Sequence, residues 1–319
     1  MTAWRWYIYQ RQTVNKSERM ADYAFRISRA ARVKEAQAKI VAALDEDGRR
    51  VFSPQDLIQL LDDHREDWWI LSGITKKDFI HYLEQELEMR KLVLTGPTHQ
   101  QKFIRYLWRD PSPIEVASSL RSTAYLCHSS AVFVHGLTEQ LPKVLYVNYE
   151  QSVKPRSSGA LTQDSMDRAF RGKQRESTFT FEYDNYKFIL LSGKNTKRLD
   201  VQTKRLPQGG KVQVTSVERT LIDIAVRPTY AGGVHQVLEA YRKAAGVLSV
   251  GKIVATLKQL DYVYPYHQAI GFYLERAAVS IKQTDRLREL GIEFKFYLTH
   301  GMREMEYNER WQLFHPKGM

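Results

Sequence analysis

Two marked helix starts in the first third of the chain constrain its fold more than any other feature of the sequence. Ser53-Pro54 predicts the first start, because a serine hydroxyl caps a helix and proline suits the first turn. Thr75 predicts the second, since Asp78, three residues later, completes a capping box with it. The apolar residues after each start are spaced to form one buried stripe. The sequence therefore predicts two short amphipathic helices in this region.

Strands are predicted on both sides of these two helices. The predicted strands are Arg49–Phe52, Lys91–Thr95 and Lys102–Trp108, the last two around a Gly96-Pro97 turn. An earlier helix is predicted to end at Gly48. The order helix, strand, helix, helix, strand, strand is typical of the winged helix-turn-helix, whose third helix enters the DNA major groove. We therefore expect a winged helix-turn-helix DNA-binding domain over residues 34–110, with a long connection between its second and third helices.

The predicted third helix and hairpin carry side chains that can donate to phosphates or to base edges. On the helix these are Lys76, Lys77, His81 and Gln85. On the hairpin they are Arg90, Lys91, His99, Gln101, Lys102 and Arg105. Glu84, Glu86 and Glu88 make the far half of the helix acidic, so we expect only its first two turns to approach DNA. The alternative interpretation is that these polar side chains form an ordinary solvated helix face that does not contact DNA.

The charge of the chain favours a polyanionic partner. Its formal net charge is +12 and its sequence pI is about 9.5, and a surface of this kind attracts nucleic acid at long range. Residues 1–33 are themselves basic, with seven Lys and Arg against two acidic side chains. This segment is interpreted as a basic arm that contacts phosphates or a minor groove, as a dimerising helix, or as a solvated segment.

Cysteine content and apolar runs indicate the compartment. The single cysteine, Cys127, excludes an internal disulfide framework and a multi-cysteine zinc site, and it fits a reducing environment. The longest apolar runs are too short to cross a bilayer, and the first residues lack the pattern of a secretory signal. We therefore expect a soluble, cytoplasmic protein with no membrane partner.

A second domain is predicted after Asp110–Pro113, where two prolines interrupt helix and sheet. Residues 111–319 are expected to form an α+β domain with a helical tail, or two α+β units at 111–230 and 231–319. The strands predicted in this part are Lys143–Tyr149, Thr178–Leu191, Val212–Thr215 and Glu293–Leu298. Ser152–Arg175 is polar and basic and is expected to be a mobile loop. Thr215 and Glu218 are expected to form the capping box of a helix.

Four segments of the second part resemble a known family. They are Cys127–Thr138, Val214–Asp223, Gly271–Arg276 and Arg310-Trp311, in the order in which that family has them. They resemble the AbiEi-family antitoxins of type IV toxin-antitoxin and abortive-infection systems. The positions that carry the resemblance in the first two segments are Ser129, Ser130, His135, Gly136, Glu218, Arg219, Thr220 and Asp223.

The resemblance implies a two-part regulator. Its winged helix would bind inverted repeats in its own promoter, and its second domain would oppose a separate nucleotidyltransferase toxin. On this basis we expect a transcriptional autorepressor and antitoxin of a phage-defence operon, with double-stranded DNA as one partner. Binding to an inverted repeat requires a homodimer or two monomers side by side, and the sequence leaves both open.

No catalytic constellation, metal site or cofactor is predicted. Arg219 and Asp223 are spaced to pair on one helix face. His128 and His135 lack a third ligand, and His128 on a strand would point away from Cys127. Gly193 and Asp200 are similar to the start of a nucleotidyltransferase site, but Gln202 stands where a second carboxylate is needed.

Three alternatives to the antitoxin hypothesis remain open. The first is a nuclease that uses Glu293 and Lys295, which have the acid-x-lysine spacing of many nuclease strands. The second is a non-enzymatic regulator unrelated to any toxin. The third is an interaction protein whose winged helix contacts protein and shows no salt-sensitive affinity for DNA.

Overall fold

The chain has a mixed α+β fold in a computed structural model that describes residues 36–68, 74–98, 101–153 and 160–319. Its contacts divide it into two units. The first comprises residues up to 92 together with 105–110, and the second comprises 93–104 and 111–319. The predictions for residues 1–33 and for His99 lie outside the described residues.

The first unit has the predicted order of elements. They are α1 (Gln37–Asp47), β1 (Val51–Phe52), α2 (Pro54–His64), α3 (Lys76–Glu86), β2 (Arg90–Thr95) and β3 (Lys102–Leu107). The three strands form a sheet in the order β1-β3-β2. Strand β1 is antiparallel to β3, with Val51 opposite Leu107. Residues 93–104, at the tip of the β2-β3 hairpin, are counted with the second unit.

Side-chain caps fix the starts of α2 and α3 as the sequence predicts. Ser53 Oγ accepts from the Asp56 N–H at 3.1 Å, and the Asp56 carboxylate accepts from the Ser53 N–H at 2.7 Å. Thr75 and Asp78 make the same reciprocal pair at 3.1 and 3.4 Å. Each box satisfies two backbone donors that a helix start would leave without a partner. Both helices therefore begin where local chemistry places them.

The core of the first unit lies between its helices and the sheet. Its fully buried side chains include Ile40, Leu44, Phe52, Leu57, Leu61, Phe79 and Leu83. Trp68 is also buried, and its ring stacks between His64 and Phe79 with centroids 5.0 and 6.0 Å away. Burying this indole contributes to the packing that holds α2 against α3.

The second unit contains the remaining elements. They are α4 (Pro113–Ser118), β4 (Tyr125–Leu126), α5 (His128–Val134), β5 (Val144–Glu150), α6 (Gln163–Arg171), β6 (Thr180–Tyr183), β7 (Tyr186–Gly193), β8 (Val201–Arg205), β9 (Lys211–Thr215), α7 (Val217–Val226), a 3-10 turn (Pro228–Ala231), α8 (Val234–Ala244), α9 (Val250–Leu260), α10 (Tyr266–Arg276), α11 (Ile281–Arg288), β10 (Phe296–Tyr297), β11 (Met305–Asn308) and β12 (Leu313–Pro316).

Two sheets organise this unit. Six strands form a mixed sheet in the order β6-β7-β5-β4-β9-β8, in which β5 is parallel to β7 and β4 is parallel to β9. The other neighbouring pairs are antiparallel. A three-stranded sheet, β10-β12-β11, follows the helices. A large apolar core joins α7 to α11 and includes Leu221, Val237, Tyr241, Ile270 and Trp311.

The structure differs from the predicted loop at Ser152–Arg175. Residues 163–171 form α6, which starts at Thr162 with a capping box to Ser165. Met166 and Phe170 lie four residues apart and are almost completely buried, so α6 has a narrow apolar face. The many polar residues around these two side chains concealed the helix. The expectation of a loop is therefore wrong for this part of the segment.

Two further expectations about the second unit are corrected. The helix α7 is capped by Ser216, whose Oγ accepts from the Arg219 N–H at 3.2 Å. Thr215 ends β9, and its hydroxyl pairs with that of Thr220 at 2.8 Å, so it cannot cap the helix. The predicted strand Glu293–Leu298 is reduced to β10, Phe296–Tyr297.

Candidate nucleic-acid interface

Helix α3 presents a row of polar side chains. Lys77, His81 and Gln85 follow one another at four-residue spacing, which places them on one face. All three are exposed, as is Lys76. Phe79 and Leu83 lie on the opposite face and are fully buried. The four helix residues predicted to contact DNA are thus accessible to solvent.

The positive charge of α3 is confined to its first turn. Lys77 forms no ion pair among the described residues, whereas Lys76 Nζ lies 3.6 Å from Asp62 Oδ2. The Asp78 carboxylate faces the Thr75 N–H in the capping box. Glu86 at the end of α3 and Glu88 just after it are exposed, and no lysine or arginine follows Lys77 within the helix. The partial positive charge of a helix amino terminus adds to that of the lysines, so this end is the one that suits a phosphate.

The described part of the first unit is not basic. Residues 36–92 and 105–110 contain ten Lys and Arg against thirteen Asp and Glu. The excess of basic residues lies elsewhere, because residues 111–319 contain 29 Lys and Arg against 20 Asp and Glu. Attraction of a polyanion to the described part of the first unit would therefore depend on a local cluster of positive charge.

The hairpin residues divide into two groups. Arg90, Lys91, Gln101 and Lys102 are exposed, with Arg90 Nη2 3.3 Å from Asp110 Oδ1. Arg105 is only 7% exposed, and burial lowers its pKa. Residues 105–107 of the central strand β3 are all buried, so side chains on both of its faces are covered. The expectation that Arg105 is available to DNA is therefore wrong.

Several of the positions that carry the family resemblance hold α5 to the six-stranded sheet of the second unit. Ser130 Oγ accepts from the Tyr146 N–H at 2.7 Å, and His135 Nε2 lies 2.6 Å from the Thr215 carbonyl oxygen. Gly136, with a φ of 71°, follows the helix in the left-handed conformation that glycine adopts freely. Ser129 is half-buried. Ser130, His135 and Gly136 thus have a structural role in this fold.

The predicted pair between Arg219 and Asp223 is present and buried. Arg219 Nε donates to Asp223 Oδ1 at 2.8 Å, and the two side chains are 6% and 8% exposed. Arg219 Nη1 also donates to the Leu199 carbonyl at 2.9 Å. Burial lowers the pKa of Arg219 and the Asp223 carboxylate raises it, with the balance upward, so the guanidinium keeps its proton. Burial raises the pKa of Asp223, while the charge of Arg219 and its hydrogen bond act in the opposite direction. The two side chains are therefore occupied with each other.

Glu218 and Thr220 also have partners inside the unit. The Glu218 carboxylate accepts from the Ser249 N–H at 3.1 Å and is 8% exposed. It therefore reaches the start of α9, a contact that helix periodicity could not predict. Thr220 bonds Thr215, which ends β9. Glu218, Arg219, Thr220 and Asp223 together fix α7 to its neighbours.

A half-buried carboxylate that the sequence did not single out, that of Glu150, lies at the end of β5. Glu150 accepts from the backbone N–H groups of Thr196 and Arg198 at 3.1 Å, and from the Tyr125 hydroxyl at 3.2 Å. Burial raises the pKa of Glu150. The hydrogen bonds from Thr196, Arg198 and Tyr125 together lower it by more, so the net shift of the pKa is downward. Lys197 and Arg198 have φ values of 54° and 56°. The loop thus wraps the carboxylate, which is saturated with donors and holds the loop in place.

The residues considered for nucleotidyl transfer are structural as well. A Cβ atom at Gly193 would lie 2.4 Å from Asn148 Oδ1, so glycine is needed for close packing there. Asp200 Oδ2 accepts from the Thr256 hydroxyl at 2.6 Å. Gln202 is exposed on β8. Side-chain packing accounts for Gly193 and Asp200.

Cys127 and His128 lie side by side, contrary to the expectation from a strand. His128 begins α5 with a φ of 50°, and its Nδ1 is 3.1 Å from Cys127 Sγ. Burial, with smaller contributions from Arg227 and Arg219, lowers the pKa of His128 to about 3. Burial also raises the pKa of the Cys127 thiol. A neutral imidazole beside an un-ionised thiol does not make a nucleophile.

We expect Cys127 to be inert in the native chain. The thiol is 1% exposed and stays protonated at neutral pH, so a maleimide or an aromatic disulfide reagent should modify less than one-tenth of the protein in the time that modifies it fully in denaturant. Because the chain has one cysteine, mass spectrometry reads the result directly. Equal labelling rates in buffer and in denaturant would contradict this arrangement.

Glu293 and Lys295 do not form a nuclease strand. Both side chains are exposed and neither residue is in a strand. The Lys295 N–H donates to Gln163 Oε1 at 3.0 Å, and its carbonyl accepts from Gln163 Nε2 at 2.9 Å. Within the described ranges, no three His, Cys, Asp or Glu side chains are grouped to hold a metal ion. In those same ranges, no helix has both the length and the apolar character needed to cross a membrane.

Comparisons with known proteins add a distant structural similarity. No family model matches the chain, and no curated protein matches it. A crystal structure described as that of the RV2827C protein from Mycobacterium tuberculosis superposes with a TM-score of 0.48 at 13% identity, over 88% of this chain and 91% of that one. The resemblance of the sequence to AbiEi-family antitoxins therefore stays a prediction.

Proposed function

We propose that this chain is a DNA-binding transcriptional autorepressor that contacts its operator through α3. In this proposal the first unit is a winged helix. One observation carries it: a unit with the element order helix, strand, helix, helix, strand, strand and the sheet order β1-β3-β2 exposes a polar row on its third helix. In winged helices of this order, that helix is the one that enters the major groove.

The chemistry of α3 supports an approach by its amino end. Lys77 has no intramolecular counter-ion among the described residues, so it is free to bind a phosphate. His81 and Gln85, one and two turns further on, can bond base edges, glutamine most readily an adenine. Glu86 and Glu88 would repel phosphates, which keeps the far end of the helix out of the groove. Of the hairpin, Lys91, Gln101 and Lys102 remain candidates for contact.

The proposal extends to a role as antitoxin of a type IV toxin-antitoxin or phage-defence operon. The support for that role is the resemblance carried by Cys127–Thr138 and Val214–Asp223. A nucleotidyltransferase toxin is the proposed counterpart, and two copies of the chain would cover the two halves of an inverted-repeat operator in the cytoplasm. A DNA-binding regulator without a toxin is the alternative.

The DNA-binding proposal is tested with Lys76→Ala combined with Lys77→Ala. Operator affinity, measured by gel shift with the DNA upstream of the chain's own gene, should fall by roughly tenfold or more, because each lysine that leaves a phosphate removes about 0.9 from the salt slope. Lys77→Ala alone should account for most of the loss, since Lys76 lies beside Asp62.

A matched control uses Lys252→Ala with Lys258→Ala on α9. Both lysines are exposed, and the change in net charge is the same. This control should keep operator affinity within about twofold, since screening limits the effect of remote charges. Unchanged affinity in the α3 variant, or an equal loss in both variants, would reject α3 as the helix that reads DNA.

The antitoxin role is tested separately. The neighbouring open reading frame should encode a nucleotidyltransferase whose expression stops growth, and co-expression of this chain should restore it. Growth arrest that persists with the chain present would reject that role and would leave the DNA-binding proposal intact.

A further inference from the structure

The end of α6 and the segment after it carry four exposed cations in eight residues. They are Arg168, Arg171, Lys173 and Arg175. Among the residues that the structure describes, none of these side chains takes part in an ion pair. Protein surfaces usually intersperse charges of both signs, whereas residues 168–175 contain four cations and no acidic side chain.

A second loop adds to the same surface. The Gly301 N–H donates to the Phe170 carbonyl at 2.9 Å, and the His300 ring stacks on that of Phe170 with centroids 4.1 Å apart. These contacts fix the 299–303 loop beside the end of α6. The exposed Arg303 is two residues beyond the first of these contacts and likewise lacks an ion pair in the described ranges. We call Arg168, Arg171, Lys173, Arg175 and Arg303 the α6 patch.

A further arginine, Arg227, is hydrogen-bonded to the backbone of the segment that carries the patch. Arg227, at the end of α7, donates through Nη1 to the Arg175 carbonyl at 2.7 Å. Its charge contributes, after burial, to lowering the pKa of His300. The segment that carries Lys173 and Arg175 is therefore held in position beside a further cation.

The patch is flanked by acidic residues, none of which forms an ion pair with a patch residue in the described part of the chain: Asp164, Asp167, Glu176 and Glu304. Asp167 accepts from the Tyr297 hydroxyl at 3.0 Å and from Gln163 Nε2 at 2.7 Å. Glu176 is exposed at the far end of the segment. Cations in the last turn of a helix stabilise its dipole, which explains Arg168 and Arg171. It does not explain Lys173, Arg175 or Arg303, which lie outside the helix.

We propose that the α6 patch binds the phosphodiester backbone of duplex DNA without regard to sequence. Four of its five cations are arginines, whose planar guanidinium donates two parallel hydrogen bonds to a phosphate. Positive charge is in excess in residues 111–319 and in deficit in residues 36–92 and 105–110, which include α3. The second unit would thus supply the general affinity for DNA, and α3 the choice of sequence. This inference rests on DNA being the partner, and does not require α3 to be the reader.

The test uses the full chain with Arg168→Gln, Arg171→Gln, Lys173→Gln and Arg175→Gln combined. Binding to a fluorescent random-sequence duplex is measured by anisotropy over a series of salt concentrations. We expect affinity to fall roughly tenfold to a hundredfold at low salt, and the slope of log K against log salt to fall by about three to four, because each of the four lost phosphate contacts removes about 0.9. Thermal melting would show that the variant remains folded.

The matched control removes the same charge from another face of the second unit. It combines Lys252→Gln, Lys258→Gln, Lys282→Gln and Arg286→Gln, all exposed on α9 and α11. Its salt slope should stay within about one of the unmodified chain. An unchanged slope in the α6 variant, or an equal drop in the control, would overturn the proposal. A duplex RNA of the same sequence that competes better than DNA would also overturn it.

The outcomes separate this inference from the proposed function. In the Lys76→Ala, Lys77→Ala variant, binding to random duplex should keep the part of the salt slope that the α6 patch provides. If that variant keeps its preference for the operator while the α6 variant loses random-duplex affinity, α3 is rejected and the α6 patch stands. If random-duplex binding depends on α3 alone, the α6 patch is rejected.

Discussion

Replacing Asp223 with alanine is expected to lower the free energy of unfolding by about 3 to 5 kcal/mol, since it leaves a buried arginine without its counter-ion. The side chains of Arg219 and Asp223 are 6% and 8% exposed, so water cannot take the place of the lost carboxylate. The remaining bond from Arg219 to the Leu199 carbonyl satisfies one donor but does not neutralise the charge. The helix α7, which contacts both the six-stranded sheet and α9, would lose its attachment.

Urea unfolding followed by circular dichroism measures the effect, with Glu239→Ala as the matched control. Glu239 pairs with Arg242 at 2.5 Å, but the two side chains are 54% and 51% exposed, so its loss should cost less than about 1 kcal/mol. Replacing both buried partners, with Arg219→Met and Asp223→Leu, should recover much of the stability, because neither charge is then left unpaired. Equal losses for Asp223→Ala and Glu239→Ala would contradict a buried pair.

Replacing Gly271 with alanine is expected to cost about 3 kcal/mol, because the new methyl group would overlap a fixed aromatic ring. An added Cβ atom would lie 2.1 to 2.4 Å from three ring atoms of Trp311, well inside any real contact distance. Trp311 is fully buried. Its backbone is also held, by a bond from its N–H to Asn308 Oδ1 at 3.0 Å and by one from Gln268 Nε2 to its carbonyl at 2.7 Å.

Gly246→Ala provides the control for the added methyl group. No heavy atom lies within 4 Å of a Cβ at Gly246, and its φ is not in the left-handed region, so the change should be close to neutral. Thermal melting compares the two variants, and adding Trp311→Leu to Gly271→Ala should restore part of the loss by making room. If Gly271→Ala has the same melting temperature as the unmodified chain, the close packing of α10 against the segment before β12 is contradicted.

The first unit shows which structural features can be predicted from residues that are neighbours in the sequence. Ser53 and Thr75 cap their helices through residues three positions away, so both starts can be read from neighbouring letters. The buried stripe of α3 and the exposed row opposite it also follow from helical spacing. Arg105 could not be placed in this way, because its burial depends on what covers a central strand.

The second unit shows more plainly which features cannot be predicted from local sequence. The sheet β10-β12-β11 and the packing of Trp311 on Gly271 join residues that are far apart along the chain. The Glu150 carboxylate is bound by a loop more than forty residues later. In α6 only Met166 and Phe170 are fully apolar and buried, which is too few to reveal a helix among polar neighbours. None of these features has a local signal.

The sequence by itself determined where helices begin, which of their faces are apolar, that Arg219 and Asp223 can pair, and that the chain is basic. Each of these depends on residues within about one helical turn, or on composition alone. Only the tertiary structure decided that Arg105 is buried, that Glu218 reaches α9, and that the end of α6 and the 299–303 loop share one surface. Those facts depend on which distant segments come together, because burial and pairing are properties of the packed chain.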